Sequence, residues 1–295
     1  MYGQITSNKR RTVTLFVIFF GLLIGIGWGL SYYLDQPVIL PVAVVIAVVQ
    51  AWVSYFASDK IALAVSMAKP ADRRQYDELH DLVENLAIAT GLPKPAVYII
   101  DDSAPNAFAT GRDPKHGVIA VTTGLLAILS KRELEGVLAH ELSHVKNYDI
   151  RVATIAVTLV GALALVSDIF LRSLFWGGSD SKDSRSSGWA MLIAILLAIL
   201  APLAAKLIQL AISRQREHLA DADGALITRF PEGLAEALQK IEQYEKPMRS
   251  ANRATAHLYI NEPFGVDEHK ASWLATVFST HPPINERVKR LRAMI

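Results

Sequence analysis

Apolar residues in this chain are bunched into runs. Residues 13–34 and 38–58 contain no charged side chain, and at 1.5 Å per residue each run is long enough to cross a hydrocarbon core of about 30 Å. Only Asp35, Gln36 and Pro37 separate them, which predicts a helical hairpin with a tight turn. The first run follows Lys9, Arg10 and Arg11, as a signal peptide would, but it is too long for such a peptide's apolar region and no small-x-small cleavage site follows. It reads as an uncleaved anchor. A second pair, residues 152–167 and 189–205, is uncharged up to Asp168 and Lys206. These polar ends are expected to reach their own interfaces rather than each other.

Four spans follow from this pattern. Basic residues crowd the N-terminal tail, the stretch from Lys60 to Arg151 and the chain after Arg214, and are absent from the first turn. The positive-inside rule therefore puts both termini and both polar segments in the cytoplasm, with the Ser/Gly/Asp-rich link 177–188 outside. Gly21, Gly25 and Gly29 repeat as a helix-packing face would, and Trp28, Trp52, Trp176 and Trp189 stand where interfacial anchors belong.

The polar stretch 70–147 alternates differently. A helix is predicted over 71–90, stopped by Gly91 and Pro93. Short strands are predicted at 96–100, 107–110 and 118–122, and a helix runs from Ser130 through His144. The fold class is a mainly α membrane protein, with four transmembrane helices and a cytoplasmic α+β domain carrying a small β-sheet. Its parts are the tail and hairpin (1–58), a first polar cytoplasmic region (59–151), a second hydrophobic pair (152–213) and a C-terminal polar cytoplasmic region (214–295).

Composition narrows the chemistry. The chain is 52% hydrophobic with a mean hydropathy of +0.28, unusual for a soluble domain. Its 30 basic and 28 acidic residues form no basic stripe, so no nucleic-acid partner is expected. Cysteine is absent, so a metal would have to be held by histidine and carboxylate.

That pair of residue types meets in one helix. His140-Glu141-Leu142-Ser143-His144 is an H-E-x-x-H sequence. Four steps of 100° bring the imidazoles to within about 40° on one face, so both can bind one ion. Glu141 projects about 60° from His144, close enough to reach water on that ion. A catalytic zinc needs a third protein ligand and an open position. Glu217 is a candidate, with Asp221 one turn on able to bond a ligand imidazole from behind; Asp149, His218 and His281 are the alternatives, and spacing leaves the choice open. His80, His116, His257 and His269 lack partner spacing and read as surface residues.

With these motifs assembled, the chain resembles the HtpX family of bacterial membrane metalloproteases and, more distantly, the CAAX prenyl proteases. The resemblance runs through the N-terminal hairpin, Asn106-Ala-Phe-Ala-Thr-Gly111, His140 to His144 with Asp149 following, Glu217-x-x-x-Asp221 and Thr280-His281-Pro282. It implies a gluzincin-like domain with one zinc ion on His140, His144 and Glu217, and Glu141 as general base. It also implies that Asn106, Ala107, Phe108, Ala109 and Thr110 form an edge strand for an extended substrate. His281 and Arg216 are candidates to stabilise charge on the carbonyl oxygen. The implied role is quality control and stress response in the inner (cytoplasmic) cell membrane, on misfolded or unassembled membrane proteins. If the third and fourth spans continue as helices into the motif segments, the ion lies within roughly 15 Å of the cytoplasmic face. The competing readings are a non-enzymatic scaffold stapled by zinc, with four protein ligands, and a transporter, for which the spans carry too few mid-membrane polar groups.

Overall fold

The computed structural model describes residues 2–33, 35–176, 213–244, 246–249, 255–261, 263 and 282–294. The fourth predicted span, Trp189, Lys206, His269 and His281 lie outside them.

The N-terminal hairpin forms as the apolar runs dictate, with α1 (Tyr2–Tyr33) and α2 (Ile39–Phe56) packed antiparallel. Among the described residues these are the two helices long and apolar enough to cross a membrane. Only 17% and 11% of their apolar windows are buried, so they are not core helices of a soluble domain. Val13, Val17, Val42, Val45, Trp28 and Trp52 all face outward. Gly27 makes the close contact, its α-carbon lying against Ala43, whereas Gly21, Gly25 and Gly29 have open space beside them. The four-residue glycine repeat is thus one helical face away from the one that packs.

After α3 (Ser58–Val65), a short strand β1 (Lys69–Pro70) precedes α4 (Asp77–Thr90). The helix predicted from residue 71 starts later because Lys69 and Pro70 pair with β2, Ala71 N–H donates to Val97 O, and Asp72 closes a turn on Gln75 and Tyr76. Gly91 ends α4 in the left-handed conformation, φ 68°, as its position predicts. Strands β2 (Ala96–Ile100), β3 (Ala107–Thr110) and β4 (Val118–Thr122) fall at the predicted positions. The sheet order is β1-β2-β4-β3, with β2 and β4 parallel and β3 antiparallel on the outer edge.

Two helices follow, α5 (Thr123–Ile128) and α6 (Lys131–Lys146), the second opening on a capping box in which Ser130 N–H donates to Glu133 Oε2 at 2.7 Å. Leu134, Val137, Leu138, Leu142 and Val145 of α6 lie in one core with Leu82, Leu86, Ala107, Ala109, Ile119 and Val121. Then α7 (Asp149–Trp176) begins. It is not a continuation of α6, because Tyr148 between them takes φ 61°. Its first turns pack Val152, Ile155, Leu159 and Leu163 on Leu15 and Phe19 of α1.

The chain returns as α8 (Arg214–Thr228), α9 (Pro231–Glu242) and α10 (Ile284–Arg292). Ser213 is extended, φ −157°, and α8 begins at Arg214. The helical continuation expected between the third span and the H-E-x-x-H helix is broken at Tyr148; the one expected from the fourth span lies outside the described residues.

Candidate metal centre

Helix α8 crosses α6 at Gly224, where an added Cβ would sit 3.1 Å from His140 N. Glu217, Asp221 and Gly224 share one helical face, so this close approach turns both carboxylates toward the H-E-x-x-H face. The result is a tight donor cluster. His140 Nε2 lies 3.2 Å from His144 Nε2 and 3.8 Å from Glu217 Oε2, and His144 Nε2 lies 3.6 Å from Glu217 Oε1. One donor atom from each of the three residues falls within a 4.8 Å span. A tetrahedral ion with bonds of 2.0–2.1 Å holds its donors about 3.3 Å apart, so the cluster matches such an ion.

What stands behind each imidazole reinforces the fit. His140 Nδ1 meets Asp221 Oδ1 at 2.9 Å, and His144 Nδ1 meets Asp149 Oδ2 at 3.1 Å. A carboxylate accepts from the N–H of each ring, so both Nε2 lone pairs point inward at each other. Converging lone pairs and a carboxylate require a shared cation. In the metal-free chain that cation is a proton: burial opposes charge on His144, but the bond to Asp149 and the nearby Glu217, Asp149 and Glu141 charges prevail and raise it to about 9.

Asp221 is held by more than His140. Arg287 of α10 is fully buried and donates to it twice, Nε to Oδ2 at 3.0 Å and Nη2 to Oδ1 at 2.7 Å. Burial would raise the Asp221 carboxyl, but the guanidinium charge and the His140 bond hold it well below the usual carboxylate range.

A cavity opens over the cluster, lined by His140, Glu141, His144 and Glu217 on one side and by Ala109 and Ile260 on the other. Glu141 is buried there beside the donor atoms. Arg216 also lines it, with its guanidinium held by Asp149, Nε to Oδ1 3.5 Å, and by Asn8.

Of the alternatives for a third ligand, Asp149 lies behind His144 and His218 Nε2 turns to Glu286 at 3.5 Å. The five strand residues divide. Ala109 reaches the cavity; Phe108 packs on Tyr259 and Thr110 Oγ1 meets Thr154 Oγ1 at 2.9 Å on the opposite face. Asn106 is occupied by the C-terminal segment, donating from Nδ2 to Asn261 O at 3.0 Å. His257, expected at the surface, is buried, lines the cavity and donates from Nε2 to Ala153 O at 3.4 Å. Its neighbours come from distant elements, so spacing could not reveal it. Arg287 had a readable signal: it shares the apolar face of α10 with Ile284, Val288 and Leu291, a charge where a core residue belongs.

Two inward imidazoles and a carboxylate, next to a second glutamate in an H-E-x-x-H helix, define the class of metallopeptidases. Residues 73–295 match Peptidase family M48, and the chain belongs to that family and, within it, to the HtpX proteases. It is 44% identical over 299 residues to a "Protease HtpX homolog" of Caldanaerobacter subterraneus subsp. tengcongensis, covering 100% of this chain and 98% of that one. It is 47% identical over 300 residues to the homologue of Tropheryma whipplei, with the same coverage. The crystal structure of S. mikatae Ste24p shares the fold at a TM-score of 0.51 and 19% identity, over 99% of this chain and 67% of that one.

Proposed function

We propose that the protein is a zinc endopeptidase of the cytoplasmic membrane, in which His140, His144 and Glu217 hold one zinc ion and Glu141 is the general base. The observation that carries this reading is the set of donor atoms within 4.8 Å, each imidazole backed by its own carboxylate, beside Glu141 in an open cavity. When bound, zinc supplies Lewis acidity, polarising a peptide carbonyl and acidifying water. Glu141 accepts the proton of the attacking water and passes it to the leaving amine. Asp221 and Asp149 keep the two rings in the tautomer that offers Nε2.

An extended substrate segment adds to the outer edge of β3, at the part that faces the cavity. In the antiparallel pair with β4, residues 106, 108 and 110 turn their main-chain groups inward, so Ala107 and Ala109 turn theirs outward. Ala107 O already accepts from Ile260 N–H at 2.9 Å, which leaves Ala109 as the docking point. Main-chain recognition reads little sequence and suits misfolded or unassembled membrane proteins as substrates. The exposed apolar hairpin supports a bilayer setting, and the distribution of basic residues supports a four-span topology with a cytoplasmic site; a role in protein quality control is what the resemblance to the HtpX family implies. Glu141→Gln tests the assignment. Cleavage of a membrane-protein substrate is expected to vanish while bound zinc stays stoichiometric; persistent cleavage removes Glu141 as base.

A further inference from the structure

The helix that anchors the chain also reaches the metal cluster. Asn8 lies on α1 before the apolar run and is 1% exposed. Its Nδ2 donates to Asp149 Oδ1 at 2.7 Å and to Asn147 O at 2.8 Å. Its Oδ1 accepts from Arg216 Nη1 at 3.2 Å. The partners fix the amide's orientation, since the nitrogen faces a carboxylate and a carbonyl while the oxygen faces a guanidinium. The next residue adds a second grip, with Lys9 Nζ 5.2 Å from the centre of the Tyr148 ring. Two consecutive residues of α1 thus hold Asn147, Tyr148 and Asp149, the whole junction between α6 and α7.

We propose that Asn8 is a positioning residue for the metal ligand His144, acting through Asp149. Asp149 divides its oxygens, Oδ1 toward Asn8 and Oδ2 toward His144 Nδ1. The amide donor fixes the carboxylate plane and so the direction in which Oδ2 receives the ring N–H. It also shares Asp149 Oδ1 with Arg216, whose Nε stands 3.5 Å from that oxygen while its Nη1 donates to Asn8. Without the amide, this long contact is free to tighten into a bidentate bridge that draws Oδ2 off the imidazole. The anchor helix is in this way part of the metal site, and the junction at Tyr148 is held from outside both helices it joins.

The inference depends on the zinc reading above, and the experiment separates the two. Zinc affinity of the full-length protein in detergent is measured by competition with a zinc-buffering chelator, for wild type, Asn8→Asp, Asn8→Ala, Asp149→Asn and the double variant Asn8→Ala/Asp149→Asn. Thr14→Ala, at an exposed site on the same helix, is the control. Absence of zinc binding by wild type sinks the metal-site reading itself. With wild type binding zinc, each Asn8 variant is expected to bind about tenfold more weakly, with kcat lowered and KM little changed. In the double variant the Asn8 effect is expected to disappear, because its relay is gone. Unchanged zinc affinity in the Asn8 variants, or full additivity with Asp149→Asn, overturns the proposal. So does collapse of the zinc-free fold in the near-isosteric Asn8→Asp, which would assign Asn8 to folding instead.

Discussion

His140 and His144 are the same side chain one turn apart, yet they stand on different foundations. His140 is backed by Asp221 and, behind it, the buried Arg287, a fixed positive charge within the folded domain. His144 is backed by Asp149 and, behind it, the neutral amide of Asn8 on the anchor helix. The first support is an ion pair closed by two short guanidinium bonds, Arg287 to Asp221. In the second the Arg216 guanidinium stands 3.5 Å from Asp149 and the Asn8 amide makes the shorter bond, while the Asp149 bond and the Glu217, Asp149 and Glu141 charges raise the proton affinity of His144. One imidazole is therefore tied to the domain core and the other to the N-terminal apolar hairpin.

The chemistry lies on neither support, and its loss should be the largest effect. Glu141→Gln should lower kcat by about 10²–10⁴ with zinc content unchanged, measured on one preparation by peptide cleavage and metal analysis. Breaking the rigid support comes next. Arg287→Met strands the buried Asp221 carboxylate, and loss of one partner of a buried pair costs about 3–5 kcal/mol. It should depress the melting temperature of zinc-free protein as well as zinc affinity. Asp149→Asn should weaken zinc binding about 10–100-fold with a smaller effect on melting. Equal melting losses in these two variants would erase the distinction between the supports.

Acidity sharpens it further. The His144 imidazole has an ordinary value of 6.5 and rises to about 9 in the folded, metal-free chain. Its proton therefore stabilises that fold fully below pH 6.5, and the contribution is lost as pH climbs through about 9. Melting of zinc-free protein should fall across this window while zinc affinity rises, since the ion displaces the proton. Asp149→Asn should flatten both trends. The smallest change belongs far from either histidine: Ser130→Ala removes the α6 cap, costs about 1 kcal/mol and should leave zinc affinity untouched.

Local periodicity made much of this molecule legible. The hairpin, three of the four strands, the stop at Gly91 and the start of α6 at Ser130 all depend on neighbours in sequence. So does the relation between His140, Glu141 and His144, because a helix fixes it. Contacts between elements were not legible in the same way. Asn8 meets Asp149 across 141 residues, and nothing in the tail Thr6-Ser7-Asn8-Lys9 marks it as other than polar. Gly27 and Gly224 pack because of what faces them, not because of their spacing. β1 escaped notice because two residues carry no alternation, and His257 because its partners are distant. Arg287 was the exception that could have been caught, as a charge on the buried stripe of α10.

The buried Arg287 also bears on synthesis. It follows His140 by 147 residues, so at roughly 5–20 residues per second the ribosome needs about 7–30 s after making that histidine to deliver the arginine. Throughout that interval the nascent helix carries its imidazoles without the guanidinium that steadies one of them. The support behind His140 is thus completed by a helix made long after the histidine itself.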